Sequence, residues 1–292
     1  MTSSLSLNQP GFVLANARAL AAASLAAYDP GIYSEPLPPG GIITCQNKTT
    51  GTHVTVTTYD DCTVIAFRGT ASLRDWITDA EFPLRPLPGS PARVHAGFLT
   101  AINSILPDLL AFLVPPKVQG AEPKASRVLL LTGHSLGGAL AVLAAWFLQA
   151  QGLPVHSIYT FGQPRVGDRT FATHYSSLLG AKTYRTVNQN DIVPRVPGVL
   201  LGYKHAGEMA LINAVGELVL DPSFIGRLVS DGLGLYRAYR RLDDVLITDH
   251  FMAGYVNALN QLETPGGTRA GGPAETTVAN PPSPGQVSRC PL

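Results

Sequence analysis

Apolar and polar positions along the chain alternate with two different periods. Three β-branched runs come first, at Ile42–Gln46, His53–Thr58 and Thr63–Phe67. They are separated by the turn-forming segments Asn47–Gly51 and Tyr59-Asp60-Asp61, and this predicts an antiparallel meander. Further strand-like runs at Val128–Leu131, Val155–Phe161, Lys182–Val187 and Glu208–Ile212 are interleaved with helical stretches. The helices are expected at Phe12–Tyr28 (alanine-rich, on the domain surface), Leu99–Val114, Ala139–Leu148, Arg169–Leu179 with Asp168 as its N-cap, Ser223–Leu242, and from Thr248-Asp249-His250-Phe251 to about Leu262. Between Ser72 and Phe82, Leu73, Trp76, Ile77 and Ala80 recur at helical spacing while Arg74, Asp75, Thr78 and Asp79 take the other face. Pro83, Pro86, Pro88 and Gly89 mark its exit, so the stretch reads either as a movable lid or as a fixed surface helix.

Composition narrows the classes. The chain has 292 residues, 14% charged, with a formal net charge of +1. That is enough chain to bury a large core, and it carries no basic block of the kind that binds nucleic acid. A sparsely charged surface fits contact with apolar material. No apolar run reaches transmembrane length, and Arg18, the first charge, falls inside an apolar segment rather than ahead of it, unlike a signal peptide. Cys45, Cys62 and Cys290 make an odd count without a clear pairing. The expectation is therefore a reducing, cytoplasmic setting, with secretion by a signal-less route as the alternative. From Glu263 to Leu292, 11 of 30 residues are proline or glycine. A folded domain over 1–262 followed by a disordered tail over 263–292 is expected.

The stretch from Arg127 to Gln151 carries the chemistry. An apolar strand runs into Gly133-His134-Ser135-Leu136-Gly137-Gly138 and then into an alanine- and leucine-rich helix. Strand, glycine-framed serine and helix make a nucleophile elbow: close approach of the two backbones needs residues without a Cβ, and the helix N-terminus favours developing negative charge. A serine hydroxyl needs a base to become nucleophilic, and the base needs an orienting carboxylate. Asp191 leaves the C-terminal end of a strand, where open α/β sheets gather their chemistry; its alternative is to order its own turn. His250 is the one histidine late in the chain and beside a helix start, giving the order Ser135, Asp191, His250. His95 lies too early in that order and reads as structural. Phe67-Arg68-Gly69-Thr70 ends the third strand, so Thr70 reads as an oxyanion donor beside the Leu136 N–H, or as a plain surface turn. Arg227, Arg237, Arg240 and Arg241 read as a solvated helix face.

Taken together, Phe67-Arg68-Gly69-Thr70, Asp75-Trp76-Ile77-Thr78-Asp79, Val94-His95-Ala96-Gly97-Phe98, the Gly133–Gly138 elbow, Phe161–Gly167, Asp191-Ile192-Val193-Pro194 and Asp249-His250 resemble the class 3 lipases. This is the family that contains the filamentous-fungal triacylglycerol lipases. The resemblance covers about Tyr28 to Leu262. It implies an α/β-hydrolase fold: a mostly parallel central sheet with an antiparallel N-terminal meander, helices on both faces and a helical lid. It also implies a Ser135–Asp191–His250 triad, Thr70 and Leu136 at the oxyanion hole, a lid carrying Leu73, Trp76 and Ile77, and Val193 and Phe251 bordering the acyl pocket. No metal and no cofactor are implied. Unlike the secreted, disulfide-bonded fungal members, this chain lacks a clear signal peptide and a cysteine pairing.

The expected function is hydrolysis of acylglycerol esters by a monomer working at a lipid–water interface, with no nucleic-acid partner. If the three apolar lid residues cover the site in water, exposing each costs roughly 1.5–3 kcal/mol, which predicts activation by a lipid surface. A phospholipase or feruloyl-type esterase using the same triad is the nearest alternative. A lipase-like binding protein without catalysis is the alternative from another class.

Overall fold

Strand alternation sorts apolar side chains onto the two faces of one sheet, and the helices then cover both. The computed structural model describes residues 5–28, 42–70, 82–114, 127–188, 191–213, 215–222 and 250–262. In chain order these form α1 (Leu14–Ala26), β1 (Ile42–Gln46), β2 (His53–Thr58), β3 (Cys62–Phe67), β4 (Leu84–Pro86), β5 (Arg93–His95), α2 (Ala96–Asn103) and α3 (Leu106–Leu113). They continue with β6 (Val128–His134), α4 (Leu136–Ala150), β7 (Val155–Phe161), β8 (Gly167–Asp168), α5 (Arg169–Leu179), β9 (Thr183–Asn188), β10 (Tyr203–Lys204), β11 (Glu208–Ile212), β12 (Leu218–Leu220) and α6 (Met252–Gln261). The expected lid at 72–81, the arginine-bearing helix, Asp249 and the tail lie outside the described residues.

Among the described residues, eight strands pair in the order β1-β2-β3-β6-β7-β9-β11-β12. The expected meander β1-β2-β3 is antiparallel, with Val56 opposite Ile65. From β3 through β6, β7 and β9 to β11 every pairing is parallel, and β12 closes the edge antiparallel to β11. This is the α/β-hydrolase arrangement. One face carries Ile65, Phe67, Leu129, Leu131 and Ile158 against α2, α4 and α5. The opposite face carries Val64, Leu130, Tyr159 and Phe161 against α1 and α6. Alternate residues of one strand thus serve different cores, which is why these strands read as nearly continuous apolar runs. Cys45 and Cys62 are free, on β1 and β3 with β2 between them.

Three expectations need correction. The first helix does more than decorate the surface: Ala17, Leu20, Ala21 and Ser24 form its buried stripe, and Ser24 Oγ lies 2.8 Å from Thr132 Oγ1 on β6. Small side chains let it lie close to the sheet, so its sequence shows little amphipathic contrast. The single helix expected over Leu99–Val114 is two, α2 and α3, bent by 44°. Pro107 sits in the first turn of α3; it has no N–H to donate, and its ring excludes the carbonyl four residues earlier from a continuous helix. The last helix, expected from Thr248-Asp249-His250-Phe251, starts at Met252 with Phe251 in the N-cap position. A second sheet, in the order β10-β8-β5-β4, was not foreseen, because its two- and three-residue strands are too short to show a period.

Candidate active site

The elbow follows from sterics. Ser135 joins β6 to α4 at φ 57° and ψ −129°, a backbone conformation that costs a non-glycine residue strain. Its N–H is held by the Phe161 carbonyl at 2.9 Å. A Cβ at Gly137 would fall 2.1 Å from the Phe67 carbonyl oxygen, so only glycine lets the first turn of α4 press against the end of β3. That contact brings the segment ending in Thr70 beside the first helical residue, Leu136. Both Thr70 and Leu136 are half-buried.

Asp191 leaves the C-terminal end of β9 and is completely buried. Its Oδ1 accepts the Val193 N–H at 2.8 Å, and the Val193 side chain is fully buried. Its Oδ2 lies 2.8 Å from His250 Nδ1. A carboxylate only accepts, so Nδ1 carries the proton and Nε2 presents a lone pair. His250 is 2% exposed, and its Nε2 has no hydrogen-bond partner among the described residues. The Ser135 hydroxyl is therefore not bonded to it here, a looseness common in unliganded sites. The two residues are still neighbours: His134, adjacent to Ser135 in sequence, places its ring 4.4 Å from that of His250. A Cβ at Gly162, just beyond β7, would fall 2.7 Å from both the Asp191 carboxylate and the His250 ring. The ends of β3, β6, β7 and β9 thus converge on one buried spot.

Tyr255 was missed in the sequence. Its hydroxyl donates to Asp191 Oδ2 at 2.6 Å and accepts the Asn188 N–H at 3.1 Å. A signal existed, since Met252, Tyr255 and Leu259 form the buried stripe of α6 and a buried phenol needs a polar partner. Phe251, beside the imidazole, is 58% exposed. Leu73, Trp76 and Ile77 lie outside the described residues. His95 is structural, as expected: its Nδ1 accepts the Gly97 and Phe98 N–H groups at 3.1 and 3.3 Å, capping α2. Burial lowers its imidazole to about 4. Among the described residues, no group of three or more His, Cys, Asp or Glu side chains is placed to hold a metal ion.

Comparison with known proteins places this geometry. Residues 64–201 match the family model described as lipase (class 3). A lipase of Rhizomucor miehei is 42% identical over 149 residues, covering 49% of this chain and 40% of that protein. A secreted mono- and diacylglycerol lipase of Fusarium solani is 35% identical over 171 residues, covering 58% and 49%. The match thus spans half or less of the length of these two relatives. A solved triacylglycerol lipase whose catalytic centre is formed by a serine protease triad superposes with a TM-score of 0.62 at 32% identity, covering 74% of this chain and 88% of that one.

Proposed function

This chain belongs to the class 3 lipase family, and from that premise we propose that residues 1–262 form a serine ester hydrolase that cleaves acylglycerols. The observation that carries the reading is His250: one ring nitrogen is fixed by a buried carboxylate, the other is buried without a partner among the described residues, and the ring lies against that of His134, the neighbour of a strained serine. In the reaction, His250 Nε2 takes the Ser135 proton as Oγ attacks the ester carbonyl. The resulting oxyanion is held by the Leu136 N–H and by Thr70. Collapse of this intermediate expels the alcohol, which takes the proton from His250 and leaves an acyl group on Ser135. Water then repeats the sequence and frees the fatty acid. Asp191 keeps the imidazole in the Nδ1–H tautomer and stabilises its cation.

Val193 and Phe251 border the acyl chain, and Leu73, Trp76 and Ile77 cover the site until a lipid surface takes them up. The exposed ring of Phe251, next to the base, supports contact with an apolar substrate. The decisive experiment is a hydrolysis panel of tributyrin, triolein, phosphatidylcholine and methyl ferulate, run beside fluorophosphonate labelling. Labelling at Ser135 with preference for the glycerides is expected. Preference for phosphatidylcholine or the ferulate would move the substrate class, and a folded protein that neither labels nor hydrolyses would leave a binding role. Tributyrin turnover should also jump at the solubility limit; a smooth curve would remove the gating lid.

A further inference from the structure

Beside the candidate triad lies a second histidine that the reaction does not use. His134, the last residue of β6, is buried. Its Nε2 is 2.6 Å from the backbone oxygen of His250, which can only accept, so Nε2 carries the proton. Its Nδ1, 2.8 Å from the Tyr28 hydroxyl, therefore accepts from the phenol. Gly69, the residue before Thr70, packs against the same phenolic oxygen: a Cβ there would fall 2.1 Å from it. The bonds run in one direction, Tyr28 to His134 and His134 to His250, and Gly69 abuts the phenol at the start of the relay. Burial, together with the adjacent His250 ring, keeps His134 well below the usual imidazole range, and so uncharged. That matters chemically, because a permanent cation 4.4 Å from His250 would oppose its protonation during turnover.

We propose that Tyr28 and His134 are positioning residues which, through this single relay, fix the turn carrying His250 against the loop carrying Thr70. Base and oxyanion donor then keep their separation across Ser135. The proposal rests on the roles given above to Ser135, His250 and Thr70. A polar pair that merely fills space would tolerate any substitution that keeps the fold, whereas a relay needs one acceptor and one donor at position 134. Glutamine offers both and leucine neither.

The test compares His134→Leu, His134→Gln and Tyr28→Phe, each checked for folding by circular dichroism and thermal midpoint. His134→Leu should lose about 100-fold in kcat on a short-chain ester while KM stays within about twofold. His134→Gln should recover most of that loss, Tyr28→Phe should fall between them, and fluorophosphonate labelling rates should follow the same order. Nitrogen-15 NMR of the wild type should show His134 as the Nε2–H tautomer from about pH 5 to about pH 9. The relay is overturned if folded His134→Leu keeps wild-type kcat, if His134→Gln is no better than leucine, or if His134 titrates within that range. If leucine prevents folding, glutamine and Tyr28→Phe decide between wild-type-like and lowered kcat. A wild type that never labels would sink the hydrolase reading instead, and the NMR result would still judge the relay.

Discussion

The two ends of the parallel strands differ in a way that shows how a reactive site is recognised. At the N-terminal end a cavity of about 360 Å³ opens between Leu7–Gly11, His156, Lys182 and Tyr184. Three of its polar groups are satisfied: His156 Nε2 meets the Leu7 carbonyl at 2.9 Å, Lys182 donates to Val155 at 3.1 Å, and Tyr184 donates to Ala181 at 2.8 Å. At the C-terminal end Ser135 has a positive φ, and His250 Nε2 is buried without a partner among the described residues. Space marks one end; strain and an unmet acceptor mark the other. In the proposed mechanism that nitrogen meets the Ser135 hydroxyl during turnover.

The contrast between the two ends can be broken by mutation. Ser135→Ala should lower kcat by roughly 10⁴–10⁶-fold and Asp191→Asn by roughly 10⁴-fold, measured on tributyrin. Retention of more than a few per cent of activity in Ser135→Ala would place the chemistry elsewhere. Thr70→Val should cost about 10²–10³-fold in kcat if Thr70 serves the oxyanion. Tyr255→Phe removes one hydrogen bond to the carboxylate and leaves the buried Asn188 N–H without that acceptor. A loss of about tenfold in kcat and about 1–3 kcal/mol in urea stability is expected.

A smaller effect concerns pH. His95 falls to about 4 in the fold against an ordinary 6.5. Between those values the unfolded chain binds the proton and the folded chain does not. This contribution to stability is therefore complete above about pH 6.5, falls as the pH drops, and levels off near pH 4, for a total on the order of 3 kcal/mol. His134, lowered by burial, acts in the same direction. His95→Asn, which retains a capping acceptor, should flatten the slope of urea midpoints against pH; an unchanged slope would assign the acid sensitivity to other groups. The smallest effect is expected at the cavity end, where His156→Gln should leave kcat within about twofold of wild type. A large loss there would erase the functional contrast between the two ends.

What the sequence by itself determined is local in origin. The β-branched runs, the glycine-framed serine and Asp168 as the cap of α5 follow from backbone sterics and burial, which act over a few residues and leave periods and motifs. Only the tertiary structure decided what those residues touch. Tyr255 meets a carboxylate 64 positions earlier, and His134 meets the backbone of a residue 116 positions later. A hydrogen bond across such a distance imposes no spacing on the chain, so nothing in the letters announces it. The burial of α1 escaped for a related reason: apart from Leu20 its contact face is mostly small or polar, set by how closely the sheet approaches more than by how apolar the side chains are.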